Sequence, residues 1–383
     1  MVSLYTPPSP IDQDQDQQAV VWLEHFFAAA LVDAASDIHL EPFEQVLRVR
    51  VRIDGQLQER TSPSAHLKDR IISRIKVMSR MDISEKRLPQ DGRLRLTLHA
   101  KPIDMRVSCL PTLHGEKLVL RIQNFSSQQL NLQDLGYEPQ QLSSLLDALQ
   151  RPNGLVLITG PTGSGKTMTL YSCLQYLNAS RINISTVEDP CEIVLAGINQ
   201  VNVNDKAGLG FAQTLRALLR QDPDIIMVGE IRDNDTADVA VKAAQTGHLV
   251  LSTLHTNDAP SSFNRLHHLG LADFNIASSV VLICAQRLVR KLCDHCKRPL
   301  PGESRCAPVG CSHCTHGYKG RVGIHQVMPM TVELQSLLLA GTDVLRIAAH
   351  AQQSGVLSLR QAGMIKAQQG ITSHEEVWAA TSV

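Results

Sequence analysis

Residues 160–167 read Gly160-Pro161-Thr162-Gly163-Ser164-Gly165-Lys166-Thr167, which matches the phosphate-binding motif G-x-x-x-x-G-K-[ST]. The apolar, β-branched run 155–159 before it is typical of a buried strand, and residues 166–178 after it predict a helix. Loop glycines let successive N–H groups turn toward an anion, and the helix N-terminus adds partial positive charge. Strand, complete motif and helix together favour a nucleotide-binding loop over a glycine-rich turn without a ligand.

Two side chains of this loop are suited to the nucleotide itself. We expect Lys166 to reach the β- and γ-phosphates and the Thr167 hydroxyl to ligate Mg²⁺. We therefore take all of residues 160–167 as nucleotide-binding residues.

The composition indicates a globular chain and disfavours a nucleic-acid partner, with a local basic face as the remaining alternative. Its 383 residues are enough for two or three domains, and 43% of them are hydrophobic. Lys+Arg and Asp+Glu both number 37 and aromatic residues make up 4%, which disfavours a DNA-binding face and a base-stacking channel. We expect a cytoplasmic protein, because no apolar stretch reaches ~18 residues and residues 1–8 lack the features of a signal peptide.

Composition and periodicity divide the chain into segments. Residues 1–18 are rich in Pro, Gln and Asp, and apolar residues at helical spacing over 19–35 predict a first helix. Alternating residues at 46–53 followed by Asp54-Gly55 predict a hairpin, and 125–135 is rich in Ser, Gln and Asn. The expected segments are a disordered tail (1–18), an N-terminal α+β domain (19–124), a linker (125–136), a phosphate-loop α/β domain (137–290), a cysteine-rich subdomain (291–325) and a C-terminal helical subdomain (326–383).

Carboxylates follow two of the strands predicted downstream of the linker. Strands at 155–159, 184–187, 224–228 and 249–253 alternate with helices, which predicts a parallel sheet whose ligand site lies at the carboxyl ends of the strands. Glu230 follows the third of these strands. Gly229 stands where many phosphate-loop enzymes carry a Mg²⁺-linked Asp, so we expect Glu230 to act as general base, to hold the metal through water, or both.

The second strand also ends in carboxylates, Glu188 and Asp189. They are candidates to contact Mg²⁺ or the attacking water, although Asp-Pro alone is also a turn signal. His248 and His255 flank the fourth strand, where a histidine could sense the γ-phosphate. By pattern alone, a structural histidine is favoured.

Four cysteines have the spacing of a metal site. Cys293-x-x-Cys296 and Cys311-x-x-Cys314 are separated by fourteen residues, which predicts four-thiolate Zn²⁺ coordination of a structural kind, because four protein ligands leave no open position. Cys306 is an alternative ligand, as are the neighbouring histidines. Four reduced thiols without a metal are the remaining alternative.

Together these motifs resemble the secretion ATPases of the GspE/PilB type, which power type II secretion and type IV pilus assembly. The resemblance runs from about Ser36 to the C-terminus. The matching stretches are 36–42, 50–55, 88–93, 106–108, 111–112, 114–117, the phosphate loop, an "Asp box" at 187–192, a Walker B run at 222–233 and a "His box" at 246–257.

The resemblance implies a fold and a set of site residues. It implies a PAS-like N-terminal domain, a RecA-like P-loop ATPase domain with a zinc-ribbon insert, and a C-terminal helical piece. It makes Glu230 the catalytic carboxylate and Glu188 an Asp-box partner. His248 and His255 become nucleotide-state sensors. Arg106 and Arg121 match arginines that oppose the phosphates, as an arginine fork suits phosphate oxygens; solvated strand arginines are the alternative.

The resemblance also implies partners. It implies a homohexamer that uses ATP, Mg²⁺ and Zn²⁺ at the cytoplasmic face of the inner membrane, acting on a platform protein and on no specific nucleic acid. Larger members carry an additional N-terminal domain for membrane docking. Only about 35 residues precede Ser36 here, so the sequence does not predict that docking mode. The cysteine insert favours assembly over a pilus-retraction motor. A DNA translocase or helicase is a further candidate function, as is an ATP-binding scaffold without turnover.

Overall fold

Two large sheets organise the chain, one in the unit Met1–Phe125 and one in the unit Ser126–Val383. The computed structural model describes residues 10–98, 101–123, 131–302 and 304–382. Within these ranges, none of the helices combines the length and the hydropathy of a membrane span.

The first unit is an antiparallel sheet covered on one face by helices. Alternation explains this arrangement: Leu47, Val49 and Val51 are buried, and the arginines between them point to the other face. The elements are α1 (Pro10–Val32), β1 (Asp37–Pro42), β2 (Leu47–Ile53), β3 (Gln56–Arg60), α2 (Lys68–Met78), β4 (Gln90–Leu98), β5 (Lys101–Thr112) and β6 (Gly115–Gln123). The order of the strands in the sheet is β3-β2-β1-β6-β5-β4.

Helix α1 begins at Pro10, so the disordered tail predicted for residues 1–18 is wrong from residue 10 onward. Proline is well tolerated in the first turn of a helix. The polar side chains of this segment also have partners, since Arg70 on α2 donates to Gln15 and Asp16. Residues 1–9 lie outside the described residues.

The second unit is a seven-stranded sheet in the order β15-β12-β7-β11-β10-β8-β9. All neighbouring strands are parallel except β12 and β15, which confirms the predicted parallel sheet. Its strands are β7 (Gly154–Thr159), β8 (Ile184–Glu188), β9 (Asn199–Asn202), β10 (Ile225–Val228), β11 (Leu249–Leu254), β12 (Val280–Leu292) and β15 (Tyr318–Pro329), with the short pair β13 (Arg298–Pro299) and β14 (Cys306–Ala307) between the last two.

Helices join and cover these strands. Four helices make up most of residues 332–381, as the sequence predicts for the C-terminal end. The helices are α3 (Pro139–Leu149), α4 (Lys166–Leu177), α5 (Phe211–Leu218), α6 (Asn234–Gln245), α7 (Ser261–His268), α8 (Asp273–Ser279), α9 (Val332–Leu339), α10 (Val344–Gln353), α11 (Leu359–Gln368) and α12 (His374–Thr381).

Two predicted boundaries change in this unit. Part of the predicted linker 125–136 lies outside the described residues, and the rest includes a 3₁₀ turn at Leu132–Leu135 whose Leu132 is buried in the core, so this part is not a linker. Strands β12 and β15 pair as far as Leu292 and Tyr318. The sheet therefore takes both ends of the predicted cysteine subdomain 291–325, and the cysteine-rich connection itself spans 293–317.

Candidate nucleotide-binding site

The candidate site lies at one edge of the second sheet. Strands β7, β8, β10 and β11 run parallel, so the residues that follow them meet at the same edge. This arrangement brings together the phosphate loop 160–167, Glu188, Glu230 and His255. Strand β12 runs parallel to β7 and adds Gln286, which follows the pairing of Ala285 with Thr159.

The loop backbone has the conformation that an anion cradle requires. Gly160, Gly163 and Gly165 all have positive φ angles, of 146°, 80° and 90°. Gly165 is the N-cap of α4 and has no side chain to accept from the first turn. The N–H groups at the start of α4 are therefore available to a ligand, together with the positive end of the helix dipole.

Lys166 lies along the loop. Its Nζ donates to the carbonyl oxygens of Gly160 at 2.7 Å and Pro161 at 3.0 Å. Burial lowers the pKa of Lys166 to about 8, and the nearby Glu230 carboxylate opposes that shift. Thr167 is exposed at the first turn of α4, so its hydroxyl is accessible to a metal ion. This donor chemistry fits Mg²⁺, which prefers oxygen ligands.

Glu230 and His255 face each other across neighbouring strands. Their closest atoms, Glu230 Oε2 and His255 Nε2, are 3.7 Å apart. Burial lowers the pKa of His255, the positive charge of Lys166 adds to this, and Glu230 opposes it. At neutral pH the imidazole is therefore uncharged, which allows it to accept a hydrogen bond as well as to donate one.

Arg232 is a residue of this site that the sequence reasoning did not single out. It donates to Glu230 Oε1, and that hydrogen bond raises the pKa of the guanidinium. Its other terminal nitrogen is 3.7 Å from Asp189 Oδ2. Arg232 thus links the carboxylates that follow β8 and β10. Its position two residues after Glu230 was the feature of the sequence that could have indicated a place in this site.

Packing explains the glycine before Glu230. Gly229 N–H donates to the Val187 carbonyl at 2.8 Å. A Cβ at this position would lie 3.3 Å from that same oxygen and 3.4 Å from Glu188 Cα, both backbone atoms. A side chain at this position would therefore be in close contact with the backbone of β8.

Glu188 is buried in a polar network of the chain itself. Its carboxylate accepts from the hydroxyls of Tyr171 and Thr186 and, at 3.1 Å, from the amide of Gln200. Burial and the Glu188 charge raise the pKa of Tyr171, whose hydroxyl accepts from Glu192 N–H at 3.0 Å. The network ties β8 and β9 to α4, so Glu188 is placed to hold the loop that follows it rather than to meet a metal ion directly.

His248 does not join the site. It precedes β11, whereas the phosphate loop and His255 lie at the opposite end of the parallel strands. Six strand residues separate the two ends by about 20 Å. The His248 ring contacts the Ala243 carbonyl at 3.1 Å at the end of α6. The sensor role that the resemblance implied is not supported within this unit, and the pattern-based prediction of a structural histidine fits better.

Arg106 and Arg121 belong to the first unit, where they pair across β5 and β6 on the arginine-rich face. Arg93 on β4 continues the same row. Arg121 Nε lies 3.0 Å from Asp37 Oδ1, and its side chain is 64% exposed. These arginines therefore form a positively charged row that Asp37 offsets at one end, and their role toward phosphates stays a prediction.

The four predicted metal-ligating cysteines lie together. Three of the Sγ–Sγ distances are 3.9 Å for Cys293–Cys311, 3.7 Å for Cys296–Cys314 and 3.7 Å for Cys311–Cys314. Zn–S bonds of about 2.3 Å in a tetrahedron place sulfurs about 3.8 Å apart. Cys306, on β14, is not part of this group of sulfurs. The cluster is compatible with zinc held by four thiolates.

Comparison with known proteins identifies the family. The profile described as "Type II/IV secretion system protein" matches residues 12–379. This chain belongs to the type II/IV secretion system protein family. It is 51% identical over 392 residues to the "Type IV pilus assembly ATPase PilB" of Acinetobacter baylyi, with 97% of this chain and 68% of that protein covered. It is 42% identical over 387 residues to the "Type II secretion system ATPase E" of Vibrio cholerae, with 97% and 77% covered.

A solved structure of the pilus retraction motor PilT with bound ADP has a similar fold. It aligns with a TM-score of 0.66 and 26% identity over 93% of this chain and 96% of that one. The family member described here therefore has the mixed α/β fold of this group of ATPases, as the sequence predicted in outline.

Proposed function

We propose that this protein hydrolyses ATP to drive the assembly of a type IV pilus or a type II secretion pseudopilus. One observation carries the proposal: a complete phosphate loop, Glu230 and His255 meet at one sheet edge in a chain 51% identical to a pilus assembly ATPase. Family membership supports the secretion or pilus system as the setting.

The residues at this edge divide the chemistry among themselves. Loop N–H groups and Lys166 bind the β- and γ-phosphates, and Thr167 is the ligand for Mg²⁺, which when bound screens the phosphate charge. Glu230 orients the attacking water and accepts its proton, because a carboxylate at the end of β10 faces the loop. His255 contacts Glu230 and can transmit the state of the γ-phosphate to the strand end.

Residues further away support this chemistry. Glu188 positions the Asp box through its buried hydrogen bonds, and His248 is structural. Arg106 and Arg121 keep the role that the resemblance implies, which is to offset phosphate charge. Their pairing in one positively charged row and the exposure of the Arg121 side chain support that assignment.

The finer fold assignments are part of the proposal. We take the first unit as the PAS-like domain and the second as the RecA-like ATPase domain. The zinc ribbon is the connection 293–317 between β12 and β15, and the helical piece is 332–381. The pairing of β12 with β15 on either side of the cysteines supports an insert held by a metal at its base.

Zinc binding gives a prediction on stability. Cys311→Ser should lower the zinc content from about one ion per chain and lower the melting temperature by several degrees, because a site with three thiolates holds the connection more weakly. Zinc can be measured by atomic emission and melting by calorimetry. Cys306→Ser is the matched control, and it should change neither quantity. If wild-type protein purified in the presence of a reductant contained no zinc, that result would contradict the assignment.

The lowered pKa of Lys166 gives a prediction on pH. Phosphates favour the charged ammonium, so binding raises this pKa and takes up a proton when Lys166 is neutral beforehand. Affinity for ADP should therefore be constant below the pKa of about 8 and should fall by up to about tenfold per pH unit above it. Titration calorimetry at pH 7, 8 and 9 measures this. Lys166→Arg stays charged, and a slope in that variant equal to that of the wild type would contradict the assignment.

The assembly and location follow from the resemblance. We take the protein to be a homohexamer at the cytoplasmic face of the inner membrane, coupled to a platform protein of the pilus or secretion machine. The formal charge of zero and the 4% aromatic content argue against a motor that moves along a nucleic acid.

A retraction motor is the second candidate, favoured by the similarity to PilT. A deletion strain separates the two functions. Loss of surface pili or of secretion, restored by the wild-type gene but not by Glu230→Gln, supports assembly. Pili that remain on the surface but no longer retract would support the retraction motor instead. Hydrolysis stimulated by DNA would overturn both candidates.

A further inference from the structure

A buried glutamine on β12 lies directly behind the phosphate loop. Strand β12 pairs with β7 up to Ala285 and Thr159, so Gln286 comes next to Gly160, the first loop residue. The Gln286 side chain is buried, with 2% of the residue exposed. No local motif indicates this residue, because it is more than a hundred positions away from the loop in sequence.

The amide of Gln286 is hydrogen-bonded to the loop and to the first turns of α4. Its Nε2 donates to the Ser164 carbonyl at 2.8 Å, and its Oε1 accepts from the Thr169 hydroxyl at 2.8 Å. Both bonds are buried, so each is stronger than it would be in water, and loss of either leaves a buried polar group unpaired.

Gln286 also leaves little room for a side chain at two glycines of the loop. A Cβ on Gly160 would lie 2.6 Å from the Gln286 carbonyl oxygen, and a Cβ on Gly165 would lie 3.2 Å from its Nε2. Arg287 donates to the same carbonyl at 3.0 Å and to the Asn257 carbonyl at 2.8 Å. The loop is therefore packed closely against β12, and the strand is fixed in turn by the segment after β11.

The bond to Ser164 determines where an N–H group points. The Ser164 carbonyl and the Gly165 N–H belong to one planar trans peptide, so they point in opposite directions. Because Gln286 holds the carbonyl toward β12, the Gly165 N–H is turned away from the sheet strand and into the loop. A peptide rotated the other way would present a carbonyl oxygen to the phosphates, which would repel them.

We propose that Gln286 is a positioning residue for phosphate binding, acting by holding the Ser164–Gly165 peptide with its N–H toward the nucleotide. This inference rests on the proposed function. It predicts that the amide donor of Gln286, rather than its volume, determines affinity for the nucleotide.

Two variants and a matched control test this inference in the full-length protein. Gln286→Met keeps length and volume but removes the amide, and Gln286→Glu keeps an acceptor for Thr169 and, when its carboxyl is ionised, has no donor for Ser164. Both should weaken MgADP binding by about tenfold or more, which corresponds to one buried hydrogen bond to the loop. Titration calorimetry measures the affinity, and circular dichroism checks that each variant is folded.

Gln141→Met is the matched control. Gln141 is also buried in the second unit, donates to the His325 carbonyl at 2.7 Å and accepts from Glu138 N–H at 3.1 Å. Its loss should cost similar stability and leave MgADP affinity unchanged.

The possible results distinguish a failure of the proposed role of Gln286 from a failure of the proposed function. Wild-type protein that binds no MgADP would overturn the proposed function. Wild-type binding together with unchanged affinity in Gln286→Glu or Gln286→Met would overturn the inference alone. Equal weakening in Gln141→Met would also overturn it, because the effect would then be general destabilisation.

Discussion

Glu230→Gln should bind ATP with nearly wild-type affinity and hydrolyse it about 10²–10⁴ times more slowly, the range that a positioned general base contributes. The amide has the shape of the carboxylate, so packing at the end of β10 is retained. It cannot accept a proton from water at neutral pH. The change therefore removes an interaction made in the transition state and leaves ground-state binding in place.

The surroundings of Glu230 favour this separation of binding from turnover. Arg232 can still donate to the amide oxygen and remains close to Asp189. Loss of the Glu230 charge removes an interaction that raises the pKa of Lys166, so ATP binding by the wild type and the variant should be compared below pH 8, where the wild-type Lys166 is charged. Phosphate release and ATP binding should be measured on the same preparation of the protein.

Asp238→Asn is the control for Glu230→Gln. Asp238 lies on α6 and pairs with Lys242 at 2.7 Å, with 42% of its side chain exposed. Removing that charge should leave hydrolysis unchanged. Hydrolysis by Glu230→Gln within about twofold of wild type would contradict the role of Glu230 and would favour an ATP-binding scaffold instead.

Lys166→Ala should lower affinity for ATP and ADP by about 10² or more. A lysine to phosphate contact is charge-assisted and is worth roughly 1.5–3 kcal/mol, and Lys166 is placed to contact more than one phosphate oxygen. The residue is partly buried, so water does not replace the lost charge. Titration calorimetry with MgADP measures the loss.

Lys242→Ala is the matched control for Lys166→Ala, because Lys242 is an exposed lysine on α6 of the same unit. It should bind MgADP as the wild type does. The two results together distinguish a specific phosphate contact from a general effect of charge. An affinity of Lys166→Ala equal to the wild type would mean that phosphates do not lie in this loop.

Local patterns predicted much of the site. The loop 160–167, Glu230 and the four cysteines are each signalled by a few neighbouring residues, because strand, turn and helix signals are short-range. Pattern alone favoured a structural role for His255, and the family resemblance gave it a role in the site. The parallel sheet follows from the alternation of strands and helices. It places the loop, Glu230 and His255 at one edge without any knowledge of distant contacts.

The features that the sequence did not indicate depend on distant partners. Gln286 lies next to the phosphate loop only because β12 pairs with β7, and no residue pattern near Gln286 predicts that pairing. Helix α1 begins at Pro10, and Arg70, far along the chain, donates to Gln15 and Asp16 in it. His248 illustrates the converse, since it shares a motif with His255 but lies at the opposite end of β11.

A nucleoside triphosphate should bind in the loop 160–167 and be cleaved there. The most direct measurement is MgADP binding, followed by phosphate release from MgATP, using purified zinc-loaded wild-type protein and Lys166→Ala side by side. We expect saturable binding and phosphate release by the wild type and loss of both in the variant. Wild-type protein that binds no nucleotide under these conditions would contradict it.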